Sequence, residues 1–134
     1  APLVLLSSVL HNAVLAPAKA HQIESALHYL DGDLQLSSSF SNGEPTQGAV
    51  VRLLNADGTP GQELGRTDAE GRLSLDLSSV DNGTVDLQVD GGPGHRDYLE
   101  LPVQDGEVNL NEVVVLPFSL VMVGLLVSVR RRND

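Results

Sequence analysis

From Leu34 onward the chain alternates apolar and polar residues, and each alternating run closes on a cluster of Gly, Asp, Asn, Ser or Pro. Leu34, Leu36, Ser38 and Phe40 fall on one side of such a run, with Gln35, Ser37 and Ser39 on the other. Leu73, Leu75 and Leu77 share a face in a later run, as do Val85, Leu87 and Val89. A period of two is the pattern of strands buried on one side only. The breaks at Ser41–Pro45, Ala56–Gly61, Asp68–Gly71, Asp81–Gly83, Gly91–Gly94 and Gln104–Gly106 divide the middle into about seven short strands. Their spacing predicts an all-β, seven-stranded Ig-like or prealbumin-like sandwich. Asn82-Gly83-Thr84 has the form of a glycosylation sequon, but Asn-Gly at a strand junction reads first as a hairpin turn.

The ends have a different character. Residues 1–20 carry an apolar stretch ending in Ala18-Lys19-Ala20, which reads as a signal peptide or an N-terminal membrane helix. His11-Asn12 interrupts that stretch. Residues 113–129 contain no charge and stop at Arg130-Arg131-Arg132, the pattern of a transmembrane helix with a cytoplasmic basic tail. Seventeen residues rise about 25 Å as a helix, at the short end for a bilayer crossing. A helix starting only at Pro117 would leave Val113–Val115 as the end of a strand. The expected organisation is therefore a leader over 1–20, an extracytoplasmic sandwich over 21–112, and an anchor over 113–134. The expected place is a bacterial inner membrane, crossed once, with the sandwich outside.

A domain of this size suits a thin two-layer fold rather than a deep catalytic cleft. Aromatics are limited to Tyr29, Phe40, Tyr98 and Phe118, so Leu and Val must build the core. No cysteine is present, which excludes a disulfide framework and thiolate metal sites. The net charge is −10, and the middle holds only Arg52, Arg66, Arg72 and Arg96 against nearly all the carboxylates. So acidic a module repels phosphate backbones and is not expected to bind nucleic acid. Cations are its natural counterpart, although solubility alone also accounts for the charge.

Two stretches carry a resemblance. Ser41-Asn42-Gly43-Glu44-Pro45-Thr46-Gln47-Gly48-Ala49-Val50-Val51, followed by Gly65-Arg66-Thr67-Asp68-Ala69-Glu70-Gly71-Arg72-Leu73, resembles carboxypeptidase regulatory-like (transthyretin-like) domains. The resemblance implies that Gly and Pro set a turn, that Ala49 packs against the opposite sheet, and that Asp68 and Gly71 close a tight hairpin. Taken with the two ends, with a histidine just after the leader, and with Gly94-His95-Arg96-Asp97 before Leu101-Pro102-Val103, the chain is similar to a narrower family. This is the small membrane-anchored accessory component of nickel/cobalt energy-coupling-factor transporters. That family usually shows Gly-His-Gly-Asp where this chain has Arg96, and it has aromatics in its opening strand that are missing here. The resemblance implies a non-catalytic subunit with integral-membrane transporter partners.

The candidate ligands are His21, His28, His95 and Asp97. Cleavage after Ala20 would make His21 the N-terminus, where amine and imidazole chelate Ni²⁺, Co²⁺ or Cu²⁺. His28 follows seven residues later, and His95 and Asp97 sit in the Gly-rich loop between the last strands. Each histidine taken singly reads as an ordinary surface residue; it is the set that points to a transition metal. A copper-handling protein with the same N-terminal chelate is one alternative, and a structural or interaction subunit of another membrane complex is the other. No nucleophile elbow, calcium loop or phosphate-binding glycine loop is present, so no enzymatic activity is expected.

Overall fold

The structure is a computed structural model, and it describes residues Gln22–Leu116. The leader expected over residues 1–20, His21, and the part of the anchor from Pro117 onward lie outside the described residues. The described chain forms two packed β-sheets, a β-sandwich. Nine strands occur among these residues, where about seven were expected.

The smaller sheet has the order β1-β2-β5, from β1 (Ile23–Leu30), β2 (Asp33–Phe40) and β5 (Arg72–Leu75). The larger has the order β4-β3-β6-β7-β8, from β4 (Pro60–Arg66), β3 (Val50–Leu54), β6 (Gly83–Asp90), β7 (Arg96–Gln104) and β8 (Glu107–Val108). A 3-10 turn over Leu110–Glu112 then leads to β9 (Val114–Leu116), which resumes pairing along β7. Every pairing is antiparallel.

Strand β1 is the element that the alternation does not reveal. Ile23, Ser25, Leu27 and Tyr29 face inward, but Ser25 breaks the apolar face. Ile23, Leu27 and Leu30 also fit a helical spacing, so the period is ambiguous. What holds β1 as a strand is Asp31-Gly32. Both residues take positive φ, 52° and 86°, and they join β1 to β2 in a two-residue hairpin.

Three expected hairpins prove to be crossovers. Ser41–Pro45 carries the chain from β2 in one sheet to β3 in the other. Asp68–Gly71 links β4 to β5, and Asp81–Gly83 links β5 to β6, again between sheets. The local turn chemistry at Asp68 is nevertheless that of a tight turn. Gly71 N–H donates to the Asp68 carbonyl at 3.0 Å, and the Asp68 carboxylate accepts from the N–H groups of Glu70 and Arg72, both at 2.9 Å. Asn82 serves the crossover differently, its side-chain oxygen accepting from Asp105 N–H at 2.8 Å and so fastening it to the β7–β8 turn.

Val114–Leu116 form a strand, the arrangement that a span starting only at Pro117 left open. The core between the sheets is aliphatic. Leu36, Val51, Leu87, Val89, Leu99 and Leu101 are fully buried, and Ala49 sits among them as expected. Each Leu or Val so buried contributes about 1.5–3 kcal/mol relative to exposure, enough to drive the two sheets together despite the lack of large aromatics.

Candidate functional site

Of the predicted ligands, His95 and Asp97 are brought to one end of the sandwich. The loop Gly91–His95 joins β6 to β7 and is closed by two backbone bonds. Gly91 N–H donates to the His95 carbonyl at 2.8 Å, and His95 N–H donates to the Gly92 carbonyl at 2.9 Å. Gly91 is closely packed, since an added Cβ would lie 3.2 Å from the His95 carbonyl oxygen and 3.3 Å from Thr46 Cγ2. The loop thus presents the His95 imidazole to the ring of Phe40. The two meet edge-on, with centroids 5.5 Å apart and planes at 83°.

Phe40 is the last residue of β2 and stands opposite Ile23, the first of β1. Just before it, the Gln22 carbonyl accepts from Ser41 N–H at 2.9 Å. The chain therefore joins the fold at the His95 end, with His21 the next residue outward in the sequence.

Asp97 lies on the inner face of β7, in line with Leu99, Leu101 and Val103. One carboxylate oxygen accepts from Ser25 N–H at 2.8 Å and the other from Tyr98 N–H at 3.0 Å. Burial raises its pKa above the usual carboxylate value. The hydrogen bonds from Tyr98 and Ser25 oppose that shift, and the Glu24 charge adds to it. Both oxygens are thus engaged with backbone, and the group acts as a strap between sheets. Ser25 also joins its hydroxyl to that of Ser38 at 3.2 Å.

Arg96, at the same end, turns to the face of β7 opposite Asp97. Its guanidinium donates to Asp90 at 3.1 Å, and Arg52 approaches the other oxygen of the same carboxylate at 3.5 Å. Burial pushes Asp90 upward, but Gly92 N–H, Arg96 and Arg52 together hold it below its ordinary value. The positive charge that Arg96 adds to the loop is thereby balanced on the outer face of the larger sheet.

His28 does not join the others. It lies on the outer face of the smaller sheet opposite Gln35, whereas Asp97 approaches β1 from the inner side. Among the described residues no three His, Asp or Glu side chains are grouped as a metal site. Two concave surfaces among the described residues are open troughs. One of about 530 Å³ has Ala26, Ser37 and Ser39 on its floor between Glu24 and Arg72, and another of about 640 Å³ lies by Pro102, Glu107 and Glu112.

Alternation alone could not mark two other groups. The Thr67 hydroxyl accepts from Ala49 N–H at 2.8 Å and donates to the Thr46 carbonyl at 2.6 Å. Tyr98 faces outward on β7 and is still buried, its hydroxyl accepting from Gln88 at 3.2 Å while β9 sets Leu116 beside it. No family model, curated protein or solved structure matches the chain.

Proposed function

We propose that the protein is a non-catalytic, membrane-anchored accessory subunit of a nickel or cobalt uptake system. Its exported transthyretin-like sandwich helps to capture or gate the ion beside integral-membrane partners. The observation that carries this reading is the position of His95 at the end of the sandwich where the chain joins the fold. Phe40 touches the His95 ring and pairs with Ile23, two residues after His21. Once the leader is removed, the His21 amine and imidazole supply two nitrogen donors, and His95 is the third candidate.

The described residues alone offer a single imidazole there, so the reading depends on a free His21 amine. Asp97 serves this site by fixing β7 against β1, since its oxygens are already accepting backbone hydrogen bonds. His28, on the outer face of the smaller sheet, is not part of the ligand set. The uncharged run 113–129 and Arg130–Arg132 support anchorage with the basic tail inside.

Titration of the protein beginning at His21 with Ni²⁺, Co²⁺ and Cu²⁺ tests the reading. His21→Ala, His95→Ala, or one residue added before His21 should each weaken binding, while His28→Ala leaves it unchanged. Cellular Ni²⁺ or Co²⁺ uptake should fall in the same variants. Binding of Cu²⁺ with unaltered nickel and cobalt uptake would favour a copper-handling role. Absence of binding to all three ions would leave a structural or interaction subunit.

A further inference from the structure

We propose that strand β9 and the membrane span draw on the same residues, so that insertion into a bilayer of ordinary thickness strips β9 from β7. The proposal rests on reading the C-terminal run as a span. Strand β9 pairs Val114, Val115 and Leu116 with Glu100, Leu99 and Tyr98. The uncharged run covers residues 113–129, about 25 Å as a helix, already short against a hydrocarbon core of about 30 Å. If β9 stays in the sheet, only residues 117–129 remain, about 20 Å, and the mismatch becomes severe.

The sheet holds β9 by few contacts. It is three residues long, and the 3-10 turn at Leu110–Glu112 separates it from the two-residue β8. Val114 and Val115 are 47% and 59% exposed, so the sandwich gives them little cover, whereas acyl chains would cover them fully. The sheet cannot enter the bilayer along with them. Glu100 stands opposite Val114, and Asp86 stands opposite Glu100 on the same face. Immersing that face would desolvate two carboxylates. Release of β9 is the route that places the valines in lipid and leaves the acids in water.

The chain contains no cysteine, so a Leu116→Cys/Tyr98→Cys pair reports the β9–β7 pairing and leaves both carboxylates in place. The full-length double variant is reconstituted into phosphatidylcholine vesicles of short (about 14-carbon) and long (about 20-carbon) acyl chains, then oxidised. Carbonate extraction reports integration in each case. The expected result is a disulfide in the thin bilayer and its loss in the thick one, with the chain integrated in both. Equal cross-linking in both while integrated would overturn the proposal, as would no cross-linking in either. Extraction from every bilayer would instead remove the membrane reading itself, and the proposal with it.

Discussion

The carboxylate of Asp97 on β7 accepts the backbone N–H of Ser25 on β1 at 2.8 Å, so a charged side chain of the larger sheet closes part of the free edge of the smaller one. The Ser41–Gln22 bond fixes which way β1 faces: Gln22, Glu24, Ala26 and His28 turn their backbone groups to β2, and Ser25 turns away. An acid that caps the outward N–H of the edge strand β1 also discourages pairing with another chain. Asp97→Ala should destabilise the domain by about 1–3 kcal/mol, because Ser25 N–H is left without its acceptor. Denaturant unfolding would measure this, and an unchanged midpoint would count against the strap.

Titration of Asp97 gives that strap a definite pH dependence. Its folded pKa is raised above 3.8, so between that value and the raised one the folded state holds more protons than the unfolded state. Stability must then fall as pH rises through this window and recover on acidification. The stability of the wild type relative to Asp97→Asn should increase as the pH is lowered from neutrality toward 3.8. Parallel unfolding curves across that range would show the shift to be absent.

Asp86 and Glu100 face one another across β6 and β7, and both burial and the Glu100 charge raise the pKa of Asp86. Asp86→Asn should stabilise the protein by about 0.2–1 kcal/mol at neutral pH. The gain should vanish in acid, where the wild-type carboxyl is protonated. Thermal melts at both pH values would reveal a constant offset if repulsion were not the cause.

Gly71 has φ of +76°, and a Cβ there would lie 2.3 Å from the Ser38 carbonyl oxygen. That approach cannot be relieved by turning a side chain, because Gly71 itself accepts from Ser38 N–H at 2.8 Å. Gly71→Ala should therefore cost more than the roughly 1 kcal/mol expected from backbone conformation alone. Retention of the wild-type melting temperature would show that the crossover can move.

Thr67→Val keeps the shape of the side chain and removes its hydroxyl. The buried Ala49 N–H loses its acceptor and the Thr46 carbonyl loses a donor. A loss of about 1–3 kcal/mol is expected, with Thr67→Ser retaining most of the stability. Chemical denaturation of the two variants side by side separates the hydroxyl from the methyl.

Alternation foretold the inward faces of β2 and β6 because one-sided burial imposes a period of two, and Leu34, Leu36, Leu87 and Val89 are buried accordingly. The same signal could not distinguish a hairpin from a crossover. Asp68–Gly71 and Asp81–Gly83 carry ordinary turn residues, and the sheet that the next strand joins depends on contacts far along the chain. Strand β1 escaped notice because its inward face includes Ser25, whose partner lies 72 residues away. At the candidate site, His95 and Asp97 were visible as a cluster in a glycine-rich loop. That Asp97 serves as a strap, and that His28 faces away, could only follow from the pairing of β1.

The Tyr29 hydroxyl accepts from Val108 N–H at 2.9 Å and donates to the Val108 carbonyl at 3.2 Å, joining residues 79 positions apart. With the Ser25–Asp97 strap, strand β1 is therefore fastened by segments that follow it by 72 and 79 residues. The sandwich cannot close its N-terminal edge until nearly all of the chain to Val108 has emerged. Under the export proposed above, an open edge strand would leave the polypeptide threadable during translocation. Closure of non-local contacts of this kind is slow, so the N-terminal edge is among the last parts of the sandwich to form.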